Sequence, residues 1–175
     1  MSTTGLEPLL IGPADLPAEL VVADAGEETN PVEFCGVTFP DDLASVDHTS
    51  ISYAGARSST YLSQYLARVD PTSAPQNMAA LREALASCDE WTQPSATGNV
   101  TYTIDLLDVA LPGDGVAFSA TSDKSGLGQI QTHSAIVNVG EFVTWISYTE
   151  IGDTTIPPDA LLRYTDIAVR HLTNG

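Results

Sequence analysis

The chain has 175 residues, 43% of them hydrophobic, enough for one domain with a substantial core and too few to fill two. Its formal charge is −17, from 23 acidic against 6 basic residues, and such a surface repels phosphate backbones and anionic bilayers, which argues against a nucleic-acid partner. No run approaches the roughly 18 consecutive apolar residues of a membrane span, and MSTTGLEPLL lacks the basic-then-apolar order of an export signal, so any signal or lipid anchor would lie upstream.

A single domain over residues 1–175 is expected, with residues 1–8 flexible. In LEPLLIGPADLPAEL the prolines Pro8, Pro13 and Pro17 interrupt any long helix. One or two short helical turns are expected there, laying Leu9, Leu10, Ile11 and Leu16 on a sheet. VVADAGEETNP reads as an acidic loop, and its Asp and Glu spacing fits no calcium loop. Cys35 follows in VEFCGVTFPDDL, just before a proline-started turn. Residues 48–69 hold two β-patterned runs around Ala54-Gly55-Ala56. In the second, Tyr61, Tyr65 and Val69 fall on one side and Leu62 and Leu66 on the other, as in a central strand, although a helix can also be drawn through it.

APQNMAALREALASCDEW predicts a helix, with Pro75 in the first turn, Thr72 or Ser73 as cap, and a stripe of Met78, Leu81, Leu85 and Cys88; Arg82 and Glu83 are expected to point outward. From Asn99 to Glu150 four β-patterned segments, NVTYTIDLLDV, GVAFSATSD, GQIQTHSAIVNV and EFVTWISYTE, are joined by LPGDG, KSGL and the Val139-Gly140 step. They predict an antiparallel meander. DALLRYTDIAVRHL then predicts a second helix with Leu161, Tyr164, Ile167, Ala168 and Leu172 inward and Arg163 and Arg170 outward. Helices outside a run of strands give the class α+β: an antiparallel sheet of about five to six strands, its C-terminal four a meander, flanked by two main helices.

Cys35 and Cys88 are too far apart for a redox pair or a zinc knuckle. Either they form one disulfide or they are two buried thiols in a reducing compartment; a bridge is preferred, because each cysteine sits just outside an ordered element. The histidines His48, His133 and His171 are each alone in their segments, and no hydrolase, nucleotide or metalloprotease motif occurs. Asp41, Asp42, Asp47 and His48 form the densest ligand-type cluster, read as a turn. No catalytic residue, metal ligand or cofactor is therefore assigned.

The meander offers a binding face. With Val139-Gly140 as the turn, His133 pairs with Ile146 and Trp145 with Ser134, while Thr132 and Ser147 lie next along; Phe142, Ile146 and Val137 line the opposite face. An aromatic platform with hydroxyl partners suits a small or polymeric ligand, unless a helix or loop covers it. The candidate ligand-binding residues are Trp145, Ser134, Thr132, Ser147 and Tyr65, with Thr103 and Ser119 nearby on strands whose facing is left open.

LLIGPADLP near the start, Cys35 ahead of a strand pair, a helix ending on Cys88, a meander and a terminal helix together resemble the actinobacterial sensor-type domains. These occur as the extracellular part of PknH-type receptor serine/threonine kinases and as free-standing envelope lipoproteins. The resemblance implies an antiparallel sheet flanked by helices, with a groove for an unidentified ligand. The kinase ectodomains carry two disulfides, whereas this chain can make one. The expected function is an exported, non-catalytic sensor-like or ligand-binding domain of the cell envelope, secreted or lipid-anchored, whose partner is a small molecule or an envelope component. The alternatives are an interaction module of the envelope, or a small hydrolase built around His133 or His48.

Overall fold

The computed structural model describes residues 5–26, 32–56, 59–94, 98–122 and 128–174. In chain order the elements are β1 (Leu20–Gly26), β2 (Val32–Phe34), β3 (Val37–Phe39), β4 (Asp47–Gly55), β5 (Thr60–Arg68), α1 (Ala74–Ala86), β6 (Glu90–Gln93), β7 (Val100–Leu106), β8 (Asp114–Ser122), β9 (Ile130–Val139), β10 (Phe142–Ile151) and α2 (Ala160–Asn174). Eight strands form one sheet in the order β1-β4-β5-β10-β9-β8-β7-β6, antiparallel throughout, and β2 and β3 form a separate hairpin.

The α+β class and the meander β7 to β10 are as expected, and the strand dense on both faces is β5, an interior strand third from one edge. The sheet is wider than the five to six strands expected, because both of its edges lie in stretches that carry no strand pattern. VVADAG, read as a loop, is β1; Val21 and Val22 are 49% and 47% exposed, so this edge lacks the alternation of a half-buried strand. EWTQ, read as the end of the first helix and its break, is β6. The helix stops at Ala86, and Thr92 and Thr101 share a hydroxyl hydrogen bond of 2.9 Å across the β6–β7 pair. The KSGL link lies outside the described residues, as do residues 1–4 of the expected flexible start and residues 27–31 of the expected loop. Within the stretch 1–8, Leu6 is fully buried against Leu10, Leu66 and Leu172.

The two helices cover opposite faces of the sheet. Met78, Leu81 and Leu85 of α1 pack with Ile104, Val116, Phe118, Ile136, Val143 and Trp145 on one face. On the other, Leu161, Tyr164, Ile167 and Ala168 of α2 pack with Leu62, Ala117, Ala135, Val137 and Ile146. Each such aliphatic side chain contributes about 1.5–3 kcal/mol on burial. Arg82, expected to point outward, turns to the sheet and bonds Asp114 and the carbonyl of Gly115. Ser73 precedes α1 without a side-chain capping bond; the Asp70 carboxylate instead accepts from the backbone N–H and hydroxyl of Thr72.

The β2–β3 hairpin lies over the α1 face. Its two-residue turn is Cys35-Gly36, with φ of 51° and 77°, the positive pair that a type I′ hairpin demands. From that turn Cys35 bonds Cys88, just past α1, closing a sequence separation of 53 with Cα atoms 5.8 Å apart. The open choice between disulfide and free thiols is thus settled for the disulfide.

Thiol titration of unfolded, unreduced protein is expected to find no reactive thiol. Cys35→Ala/Cys88→Ala should lower the free energy of unfolding by about 2–4 kcal/mol, measured by urea denaturation, the chain-entropy bound for a loop of this length being roughly 4 kcal/mol. An unchanged midpoint would mean that the hairpin is held by packing alone.

Candidate functional site

The face carrying the expected binding residues is built by the pairing of β10 with both neighbours. The β9–β10 turn is Gly140-Glu141, with Gly140 at φ 60°, so Val139 faces Phe142. This places Trp145 opposite Ile136, Ser147 opposite Ser134, Thr149 opposite Thr132 and His133 opposite Tyr148, in place of the pairs expected from a Val139-Gly140 turn. The partner shifts by two residues, an even slip, so the facing survives: Trp145, Ser147, Ser134 and Thr132 share one side. Tyr65 joins them as the partner of Trp145 on β5. Ser119 pairs with His133 and Thr103 with Thr121, which puts both on the opposite face.

Trp145 is not an open platform. It is 6% exposed and ringed by Phe39 at 5.4 Å, Phe34 at 6.1 Å, Phe118 at 6.2 Å and Tyr65 at 6.2 Å between centroids. Phe34 and Phe39 come from the hairpin, which is the cover the sequence leaves open as an alternative. The indole Nε1 has no hydrogen-bond partner, consistent with a ring buried among rings. Beyond the hairpin the hydroxyls pair with one another, Ser134 with Ser147 at 2.8 Å and Thr132 with Thr149 at 2.9 Å. Ser134 is buried, whereas Ser147, Thr132 and Thr149 are half-buried beside Tyr61, itself 46% exposed.

The opposite face holds polar groups that the sequence does not single out. Glu150 is buried at 6% exposure, and its Oε1 accepts from Thr60 Oγ1 at 2.8 Å and from the Tyr148 hydroxyl at 3.0 Å. Tyr148 stacks on Tyr164 at 5.7 Å, and the Arg163 guanidinium lies 4.8 Å from the Tyr164 ring centroid. Burial first, then the bond to the Glu150 carboxylate and its charge, push the Tyr148 phenol up to about 12. A hollow of about 480 Å³ opens here between Pro17, Glu19, Leu20, Thr60, Tyr148 and Arg163. His133 is half-buried on the same face, and burial lowers its pKa. His48 belongs to the α1 face, so the two histidines do not form one site.

A larger groove, of about 1000 Å³, runs between the N-terminal segment, the end of β5, the β9–β10 turn and the last turns of α2. Arg68 stands over the Phe142 ring at 5.6 Å, its Nε 3.5 Å from Glu141 without hydrogen-bond geometry. Across the groove His171 Nε2 meets Asp15 at 3.1 Å, and Asp15 also accepts the backbone N–H of Gly12 at 2.9 Å. Arg170 lies beside them. Only Arg170 and His171 carry a signal in the sequence, where they read as charges suited to a helix C-terminus. In the acidic turn the Asp42 carboxylate accepts the Thr38 N–H at 2.6 Å, as a turn residue does.

The fold is similar to that of the extracellular domain of PknH from Mycobacterium tuberculosis, with a TM-score of 0.72 over 99% of this chain and 96% of that one, at 10% sequence identity. At that identity the likeness is one of fold. Neither a protein-family model nor a curated protein sequence matches the chain.

Two measurements check this geometry. Trp145→Ala should destabilise by about 3–5 kcal/mol in urea, as removal of a buried indole does, whereas a surface platform would lose far less. An ultraviolet titration of tyrosinate should show one phenol ionising near 12, absent in Tyr148→Phe. Since that value lies above the ordinary 10.0, the native state keeps this proton where the unfolded chain loses it; the associated stability is full below 10.0 and is lost as pH rises through about 12.

Proposed function

We propose that this chain is an extracytoplasmic, non-catalytic, sensor-like domain, secreted or anchored to the cell envelope, which binds a small ligand in the groove beside α2. The observation that carries the reading is the groove itself: an open concavity of about 1000 Å³ where apolar walls meet convergent charged side chains, the usual composition of a ligand site. Its setting supports the extracytoplasmic assignment. The Cys35–Cys88 disulfide belongs to an oxidising compartment, and the fold is that of a domain described as extracellular.

Catalysis by His133 and His48 is disfavoured by their placement on opposite faces of the sheet. Ligand capture on the hydroxyl ledge of Ser147, Thr132 and Ser134 is the weaker choice, because those hydroxyls already bond within the sheet and Trp145 and Tyr65 are engaged with the hairpin. The α2 groove offers both depth and uncommitted donors.

Native mass spectrometry of the protein recovered from its source without detergent is expected to show a non-covalent small-molecule adduct that leaves on denaturation. Leu9→Trp, which adds bulk to the groove wall, should lose that adduct while melting at the same temperature. The bare chain mass in both proteins, before and after extraction, would sink the ligand-binding reading.

A further inference from the structure

The four arginines among the described residues divide by what their guanidinium groups already hold. Arg82 bonds Asp114 and the Gly115 carbonyl, and Arg163 donates to the Tyr164 hydroxyl at 3.2 Å while lying over that ring. The two in the α2 groove are less committed. Arg68 makes no hydrogen bond among the described residues, and Arg170 makes one, from Nε to the Asp166 carbonyl at 3.3 Å, so the terminal nitrogens of both are unused. Guanidinium groups with free terminal nitrogens offer the paired donors that match a carboxylate or phosphate.

The charge count in the groove narrows the ligand further. Asp15 lies against His171 and Glu141 against Arg68, leaving Arg170 without an acidic partner among the described residues. The two guanidinium groups of the groove offset its two carboxylates, so on a chain whose formal charge is −17 the groove is close to neutral, which accommodates one negative charge beside Arg170 and is too little to hold a polyanion. Between the two arginines the walls are apolar: Leu9, Phe142, Ile167 and Leu172. A head group alone would leave those walls wet.

We infer that the groove takes an amphiphilic monoanion, a single carboxylate or phosphate head on an alkyl chain, with the head between Arg68 and Arg170 and the chain along Leu9, Phe142, Ile167 and Leu172. This rests on the reading of the groove as a ligand site and adds the chemical class. The bulk negative charge of the chain disfavours approach to a continuous anionic membrane, so the occupant is a dispersed molecule rather than a bilayer surface.

Calorimetric titration with dodecanoate tests the assignment, with acetate, dodecyltrimethylammonium and phosphatidylglycerol vesicles as comparisons. Dodecanoate is expected to bind one to one. Acetate should bind at least roughly a hundredfold more weakly, because it lacks the chain, and dodecyltrimethylammonium at least roughly tenfold more weakly, because its charge is reversed. Arg170→Gln should weaken dodecanoate roughly tenfold, and Arg68→Gln/Arg170→Gln further, with melting temperatures unchanged and dodecyltrimethylammonium binding no weaker than before. Equal affinity for the cationic amphiphile, dodecanoate binding indifferent to both substitutions, or binding to the vesicles in preference to dodecanoate would overturn the proposal. An adduct seen in native mass spectrometry together with no dodecanoate binding would overturn the ligand class while leaving the ligand-binding reading intact.

Discussion

The pairing of β5 with β10 is the constraint on which the molecule depends. It joins three N-terminal strands, β1, β4 and β5, to the C-terminal meander through nine residue pairs, and without it the protein would be two half-sheets with unpaired edges. The seam is fastened by a buried polar network. Gln64, 1% exposed, donates to Thr144 Oγ1 at 3.2 Å and accepts the backbone N–H of Ile11 at 2.7 Å, while Thr144 donates to the Tyr65 carbonyl. A buried network of this kind fixes register because any slip strands its donors. The same network holds the N-terminal segment against the sheet, aided by the Tyr53 hydroxyl on the Ile11 carbonyl at 2.7 Å.

Each polar feature of the structure takes its position from that seam. Thr60 faces Glu150, Tyr65 faces Trp145 and Arg68 faces Phe142, three registered pairs along one pair of strands. The first supplies the hydroxyl bond to the buried carboxylate. The second anchors the aromatic cluster beneath the hairpin, and the third forms one wall of the α2 groove. Period-two alternation sends Trp145 toward α1 and Phe142, three residues earlier, toward α2, so the two faces acquire different chemistry from one strand.

That difference governs which face stays accessible. On the α1 side the hairpin, tethered by Cys35 to Cys88, seats Phe34 and Phe39 on Trp145 and closes the most aromatic part of the sheet. On the α2 side the helix covers the middle of the sheet and the N-terminal segment lies along it, leaving hollows at its two ends. Basic residues are scarce in this chain, and Arg163, Arg170 and Arg68 lie at those hollows. With two guanidinium groups against its two carboxylates, the groove is close to neutral on an otherwise acidic chain.

Local order was legible in the sequence wherever the physics is local. The alternation in Thr60–Arg68 marked a strand dense on both sides, the α2 stripe of Leu161, Tyr164, Ile167, Ala168 and Leu172 marked its buried face, and the hydroxyl residues of β9 and β10 were assigned to the correct side despite a wrong turn. The edge strands β1 and β6 escaped because an edge needs only one partner and little burial, so it carries no periodic signature. Only the tertiary structure decided what lies over each face. Trp145 reads the same from the chain whether covered or open, and its cover comes from a hairpin more than a hundred residues earlier; Thr60 and Glu150, 90 positions apart, meet only because β10 returns to β5. A residue's immediate neighbours set its conformation and its facing, but the group that meets it across the fold is chosen by long-range pairing, which no local pattern records.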